Sequence, residues 1–123
     1  MNLTRLEHHQ HPRPPHHELR QKEVLDSASR SIGQVDNLYV DDDRNLQFAE
    51  VSTTGVFDFG KKHYLIPVEV IAEEDSGTIT LTVDQQTVQS APPLGDPHVA
   101  PDEGLQRVAR EHCGLAAVPP PEP

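Results

Sequence analysis

The chain has 123 residues, 34% of them hydrophobic and 4% aromatic, with no tryptophan and a formal charge of −10. That length suits one modest domain, and so low an apolar fraction predicts that part of the chain stays outside the core. No apolar run approaches the roughly 20 residues of a membrane helix. The opening MNLTRLEHHQ has no apolar core of the kind a secretory signal carries.

The charge is unevenly spread. Residues 1–23 carry four Arg/Lys and three Glu, a balance of +1. Residues 24–95 set four Arg/Lys against twelve Asp/Glu, giving −8, and residues 96–123 add −3. A central segment at −8 repels phosphate backbones, so direct nucleic-acid binding is not expected. The single cysteine, Cys113, has no internal disulfide partner, which fits a cytoplasmic setting.

Residues 1–23 read as a flexible tail. HHQHPRPPHH, residues 8–17, holds five histidines, and Pro12, Pro14 and Pro15 prevent a continuous helix or a central strand. HELRQKEVL, from His17, has the makings of a short helical turn leading into the domain. His8, His9, His11, His16 and His17 are the candidate metal ligands, because neutral imidazoles bind zinc, nickel and copper. Prolines separate the pairs and no cysteine is near, so the pattern falls short of a closed zinc site.

Residues 24–94 carry the packed domain. In SIGQVDNLYVDDDRNLQFAEV, residues 31–51, Leu38 and Val40 precede an acidic run, and Leu46 and Phe48 follow it at the same period of two. Asp41, Asp43 and Asn45 match the opening of a calcium loop. Its sixth position requires Gly and holds Leu46; its twelfth requires Glu and holds Ser52. Asp41 to Asn45 is therefore predicted to be the turn of an antiparallel hairpin. The stretch TTGVFDFGKKHYLI, residues 53–66, reads as a short strand, a loop around Gly60 and Lys61, and a second strand. In IPVEVIA, Pro67 marks an edge, a bulge or a strand junction. Asp75, Ser76 and Gly77 predict a hairpin back from that segment to ITLTVD, residues 79–84, where Ile79, Leu81 and Val83 alternate with Thr80 and Thr82. Short strands at close spacing, with no long helical period between them, predict a small all-β barrel or sandwich.

Residues 95–123 begin as a linker. Leu105, Val108, Ala109 and His112 then fall at helical spacing, with Pro101 and Asp102 suited to the first turn and Gly114 to the C-cap. A helix of about three turns needs something to dock on. VPPPEP closes the chain as a Pro-rich end.

The order of these features resembles the PRC-barrel family. Ile32-Gly33-Gln34-Val35 leads into a strand ending at Val40-Asp41; the acidic turn and the strand Leu46 to Val51 follow. Then come Gly55 to Gly60, Leu65-Ile66-Pro67, the acidic turn Glu73 to Gly77, the strand Thr78 to Val83, and Ala91-Pro92. The resemblance covers about residues 24–93. It is to the cytoplasmic domain of the photosynthetic reaction-centre H subunit, to the C-terminal domain of a bacterial ribosome-maturation factor, and most of all to free-standing bacterial members. It implies a small, mostly antiparallel β-barrel of about six strands, protein–protein contact as the usual role, and no catalytic set or cofactor.

The chain is thus expected to be a non-catalytic interaction or assembly module that binds a protein partner or itself as a dimer, with peripheral membrane contact compatible. Leu105, Val108 and Ala109 on the terminal helix, and the basic pair Lys61 and Lys62, are the candidate contact residues. The alternatives are an accessory factor in ribosome or RNA maturation, and a metal-binding protein acting through the histidine tail. Cys113, with Arg107 and Arg110 on the same helix, is read as a small apolar residue, since no nucleophile elbow or partnered base accompanies it.

Overall fold

The computed structural model describes residues 2–7, 10–14, 18–53, 62–91 and 101–115. Seven strands form one sheet: β1 (Thr4–Arg5), β2 (Glu23–Leu25), β3 (Ser31–Val40), β4 (Leu46–Ser52), β5 (His63–Pro67), β6 (Ile71–Glu74) and β7 (Thr78–Leu81). Their order is β5-β4-β3-β2-β7-β6, with β1 attached to β3. The ten-residue β3 is the spine. One of its edges pairs with β4 from Gln34↔Ser52 to Val40↔Leu46. The other edge is shared, by β2 near Gly33 and Gln34 and by β1 at Tyr39 and Val40. The seventh strand beyond the six expected arises from this sharing, because β3 is too long for β2 to cover alone.

Pairing is antiparallel except between β2 and β7, which run parallel with Val24 opposite Ile79. The hydrogen-bonded path is open, since no ladder joins β5 to β6 among the described residues. A 3-10 turn, Val68–Val70, links these two strands directly. Four virtual bonds from Pro67 to Ile71 span at most about 14 Å, so the sheet must curl until its ends approach. Pro67 is indeed a strand junction: it ends β5 and caps the turn with φ −65°. The amide of Thr82 donates to the Val70 carbonyl at 2.8 Å and ties the turn to the end of β7.

The curl encloses the main core, which includes Val24, Val35, Leu38, Val51, Ile66, Ile79 and Leu81. Tyr39, Phe48, Leu65 and Ala109 form a second cluster. Ala49 and Val51 of β4 face the main core and Phe48 the second cluster, while a register slip between Phe48 and Leu46 returns Leu46 to the main core, so this strand is buried on both sides.

The segment expected to be a flexible tail is packed in its described residues. Leu6, Pro12 and Leu19 are buried, and Leu6 continues the β1 pairing by donating to the Leu38 carbonyl at 3.0 Å. The Arg20 guanidinium donates to the carbonyls of Leu6, Glu7 and Gln10, which draws the segment into a loop. Composition averaged over His and Pro conceals these anchors. The helical turn expected from His17 is absent from residues 18–25, where turns lead into β2; Val24 is taken by pairing with both β3 and β7.

Two helices complete the fold. α1 (Gln85–Ser90) was not anticipated. Asp84, assigned to the end of a strand, is its N-cap and accepts from the Thr87 amide at 2.8 Å. β7 therefore stops at Leu81. α2 (Glu103–His112) forms where expected, with Asp102 as the N-cap just ahead of the first turn rather than within it. Asp102 accepts from the Leu105 amide at 2.8 Å. At the other end Gly114, at φ +80°, donates to the Glu111 carbonyl and Leu115 to that of Arg110, a Schellman closure. Arg110, buried, donates to Glu69 of the 3-10 turn at 2.5 Å, and His112 contacts the Thr87 carbonyl and Ser90 hydroxyl of α1. Asp102→Ala removes the N-cap and is expected to cost about 1 kcal/mol. Urea denaturation measures it; an unchanged midpoint would mean that α2 does not unfold together with the sheet.

Candidate functional site

The acidic run does not form a site. Asp41 Oδ1 accepts the amides of Asp43 and Asn45, both at 2.9 Å, and its Oδ2 accepts Gln47 Nε2 at 3.0 Å. Its backbone amide donates to the Asn45 carbonyl at 3.1 Å, closing the β3–β4 hairpin, and Arg44 at φ +66° turns the chain. Asp41 is thus consumed by the turn, as its residue type and spacing predict.

The candidate contact residues divide. Leu105 and Ala109 pack on the second cluster against the chain's own sheet, while Val108 is 40% exposed, the exposed large apolar side chain of the described residues. Lys62 is exposed. Lys61 lies outside the described residues, as do His8, His9, His16, His17 and the expected strand before Gly60. His11 is exposed. The thiol of Cys113 is half-buried, and burial raises its pKa, which disfavours a reactive thiolate.

A different constellation forms on the outward face of β3, β4 and β5. Glu50, in the middle of β4, is fully buried. Its Oε2 accepts from Asn37 Nδ2 and lies 3.5 Å from the Tyr39 hydroxyl. Its Oε1 is in direct contact with His63 Nδ1, yet the contact lacks hydrogen-bond geometry, and neither atom has a hydrogen bond among the described residues. Asp36 completes the group: ligand-type atoms of Asp36, Glu50 and His63 all lie within 4.8 Å of one another. Ser52 Oγ, on the same face of β4 and opposite His63 in register, is also buried without a hydrogen bond.

Local irregularity creates this grouping. The β3–β4 register slips between Val35 and Asn37, so Asp36 is the extra residue of a bulge. A regular β3 would send position 36 to the interior with Leu38 and Val40. The bulge gives that interior place to Val35. Sequence reading missed Asp36, Asn37, Glu50 and His63. The signal within it was a carboxylate in the middle of LQFAEVS, an otherwise buried strand.

Two grooves are formed by described residues elsewhere. One is lined by Arg30, Gln85, Gln86, Gln89 and Ser90; the other by Gln21, Glu23, Ser31, Gly33 and Gln34. In the second, the exposed Ser31 hydroxyl donates to Glu23 Oε2 at 3.0 Å.

Comparison with protein families matches residues 15–89, more than half of the chain, to the PRC-barrel domain. The chain belongs to the PRC-barrel family. Comparison with curated proteins finds no match. PRC-barrel domains are in general non-catalytic interaction modules, and the matched span runs from the N-terminal loop through β2 to β7 and most of α1. No helix among the described residues of this PRC-barrel protein is long and apolar enough to cross a membrane.

Proposed function

We propose that this PRC-barrel protein is a non-catalytic assembly module that binds another protein or a second copy of itself. The observation that carries the reading is the end of the sheet at β6, which among the described residues pairs with a strand on one side. β6 ends the strand path, and its two central residues, Ala72 and Glu73, are exposed. An edge strand offers unpaired backbone groups to an incoming strand. Glu73 and Asp75 border this edge and are exposed, so a partner with basic side chains is favoured. Val108 and Lys62 are the exposed members of the contact set read from the sequence. A reducing cytoplasm suits the lone thiol.

Sedimentation equilibrium of the full chain at micromolar concentration is expected to return a mass well above 13.7 kDa, or affinity capture from the native host to return a defined partner. Replacing Ala72 and Glu73 together by lysine should weaken whichever association is found. A chain that stays monomeric and captures nothing overturns the proposal, and so does an association indifferent to the double substitution.

A further inference from the structure

The geometry points to a divalent metal site formed by Asp36, Glu50 and His63, with Zn2+ the ion best suited to the donors. The argument starts from Glu50. A fully buried carboxylate is costly unless its charge and its lone pairs are matched. Oε2 is provided for by Asn37 and Tyr39, but Oε1 has no hydrogen bond and is aimed at His63. An ordinary buried ion pair would direct an imidazole N–H onto that oxygen. Here Oε1 and Nδ1 touch without hydrogen-bond geometry, so each is left with a lone pair or proton unmatched within the fold's described residues.

Asp36 has no place in a simple Glu–His pair. It adds a second carboxylate within 4.8 Å, and like charges so close in a half-dry setting repel. Within the trio, even a protonated His63 would balance only one of the two carboxylates. A divalent ion removes the conflict. With metal–ligand distances of about 2.0–2.2 Å, donors stand roughly 3–4 Å apart, which side-chain rotation of Asp36 and His63 can reach. One imidazole with two carboxylates and no thiolate is a borderline donor set. It favours zinc and its first-row neighbours over calcium or magnesium, for which imidazole is a poor ligand.

The surroundings fit as well. Asn37 and Tyr39 hold Glu50 with Oε1 forward, and Gln34 Nε2 lies 3.3 Å from Asp36 Oδ1. Such outer hydrogen bonds orient ligands around metals. The His63 side chain is 24% exposed and Asp36 is half-buried, so an ion can enter from solvent. Bound there, it would pin β3, β4 and β5 together. The site shares no residue with the histidine run of residues 8–17 or with the β6 edge.

The test is zinc titration calorimetry on the full chain in which His8, His9, His11, His16 and His17 are all alanine, which leaves Leu6, Pro12 and Leu19 in place. One zinc per chain is expected. Asp36→Asn and His63→Ala in that background should each weaken it roughly tenfold or more, with far-UV circular dichroism confirming that both remain folded. Asp36→Asn serves as the milder variant should His63→Ala fail to fold. Loss of all binding with the tail histidines, or a smaller change in either folded variant, overturns the site.

Discussion

Gly33→Ala is expected to destabilise the protein by roughly 3 kcal/mol or more. Gly33 lies in β3 at φ +157°, where the neighbouring strand passes against its Cα. A Cβ added there would stand 2.0 Å from the Ser52 carbonyl oxygen, 2.8 Å from its carbonyl carbon and 3.1 Å from the Thr53 Cα. All three are backbone atoms, so no rotamer change relieves the clash. β3 and β4 must separate at the point where β2 also pairs. For a chain of this size the loss corresponds to a melting point lower by about 10–20 °C. Thermal and urea denaturation of the two proteins measure it. A change under about 1 kcal/mol would mean that β4 does not approach Gly33 so closely in solution. The same displacement would carry Glu50 and His63, which are joined through the β4–β5 ladder, away from Asp36, so the variant should also lose whatever the cluster binds.

Gly33 shows what sequence could and could not convey. A glycine in an apolar strand signals close backbone approach, and the Ile32-Gly33-Gln34-Val35 segment was part of the family resemblance, but the chain that approaches is nineteen residues away. Local chemistry was legible wherever it closed on itself. The Asp41–Asn45 turn, the β6–β7 hairpin through Asp75–Gly77 and both caps of α2 each depend on residues within a few positions. Features that depend on distant pairing were not. The parallel β2–β7 contact joins Glu23 to Thr78, and β1 finds its place only because β3 overruns β2. α1 was hidden because Asp84 follows an alternating run whose pattern favours strand; only Val88 of its six residues is buried.

The Glu50 cluster failed to show for a related reason. Its members come from three strands, and its assembly needs a bulge that reverses side-chain parity at Asp36. Period-two counting carries no mark of where such a reversal falls. His63 was passed over beside the basic pair Lys61 and Lys62. In the structure it is the first residue of β5, diagonal to Glu50. A charged residue amid a buried strand was the clue available, and the histidine-rich segment drew attention from it.

Asp26→Ala is the second substitution with a large expected effect, about 3 kcal/mol, because one buried side chain holds three segments. Oδ1 accepts the amides of Ala28 at 3.0 Å and Arg30 at 2.8 Å, which closes the β2–β3 turn. Oδ2 accepts the Arg30 guanidinium at 3.0 Å and the Gln85 amide at 2.8 Å, which fastens the first residue of α1 fifty-nine positions away. Alanine leaves these donors facing an apolar methyl group. The pH dependence tests the same arrangement. Burial opposes ionisation of Asp26, but the hydrogen bonds from Arg30, Gln85 and Ala28 outweigh it and hold its pKa below the usual carboxylate value. Asp84 is lowered too, chiefly by the Thr87 hydroxyl and amide. For a lowered pKa the unfolded chain binds the proton first. The stabilisation is therefore whole above about pH 4, the unfolded value, and is lost as pH falls through the folded one. Urea denaturation between pH 2.5 and 7 should show the parent losing stability below pH 4 more steeply than Asp26→Ala, so that the gap between them narrows in acid. Parallel curves over that range would show that Asp26 binds its proton equally well in the folded and unfolded chains, and that the turn and α1 are joined by something other than its charge.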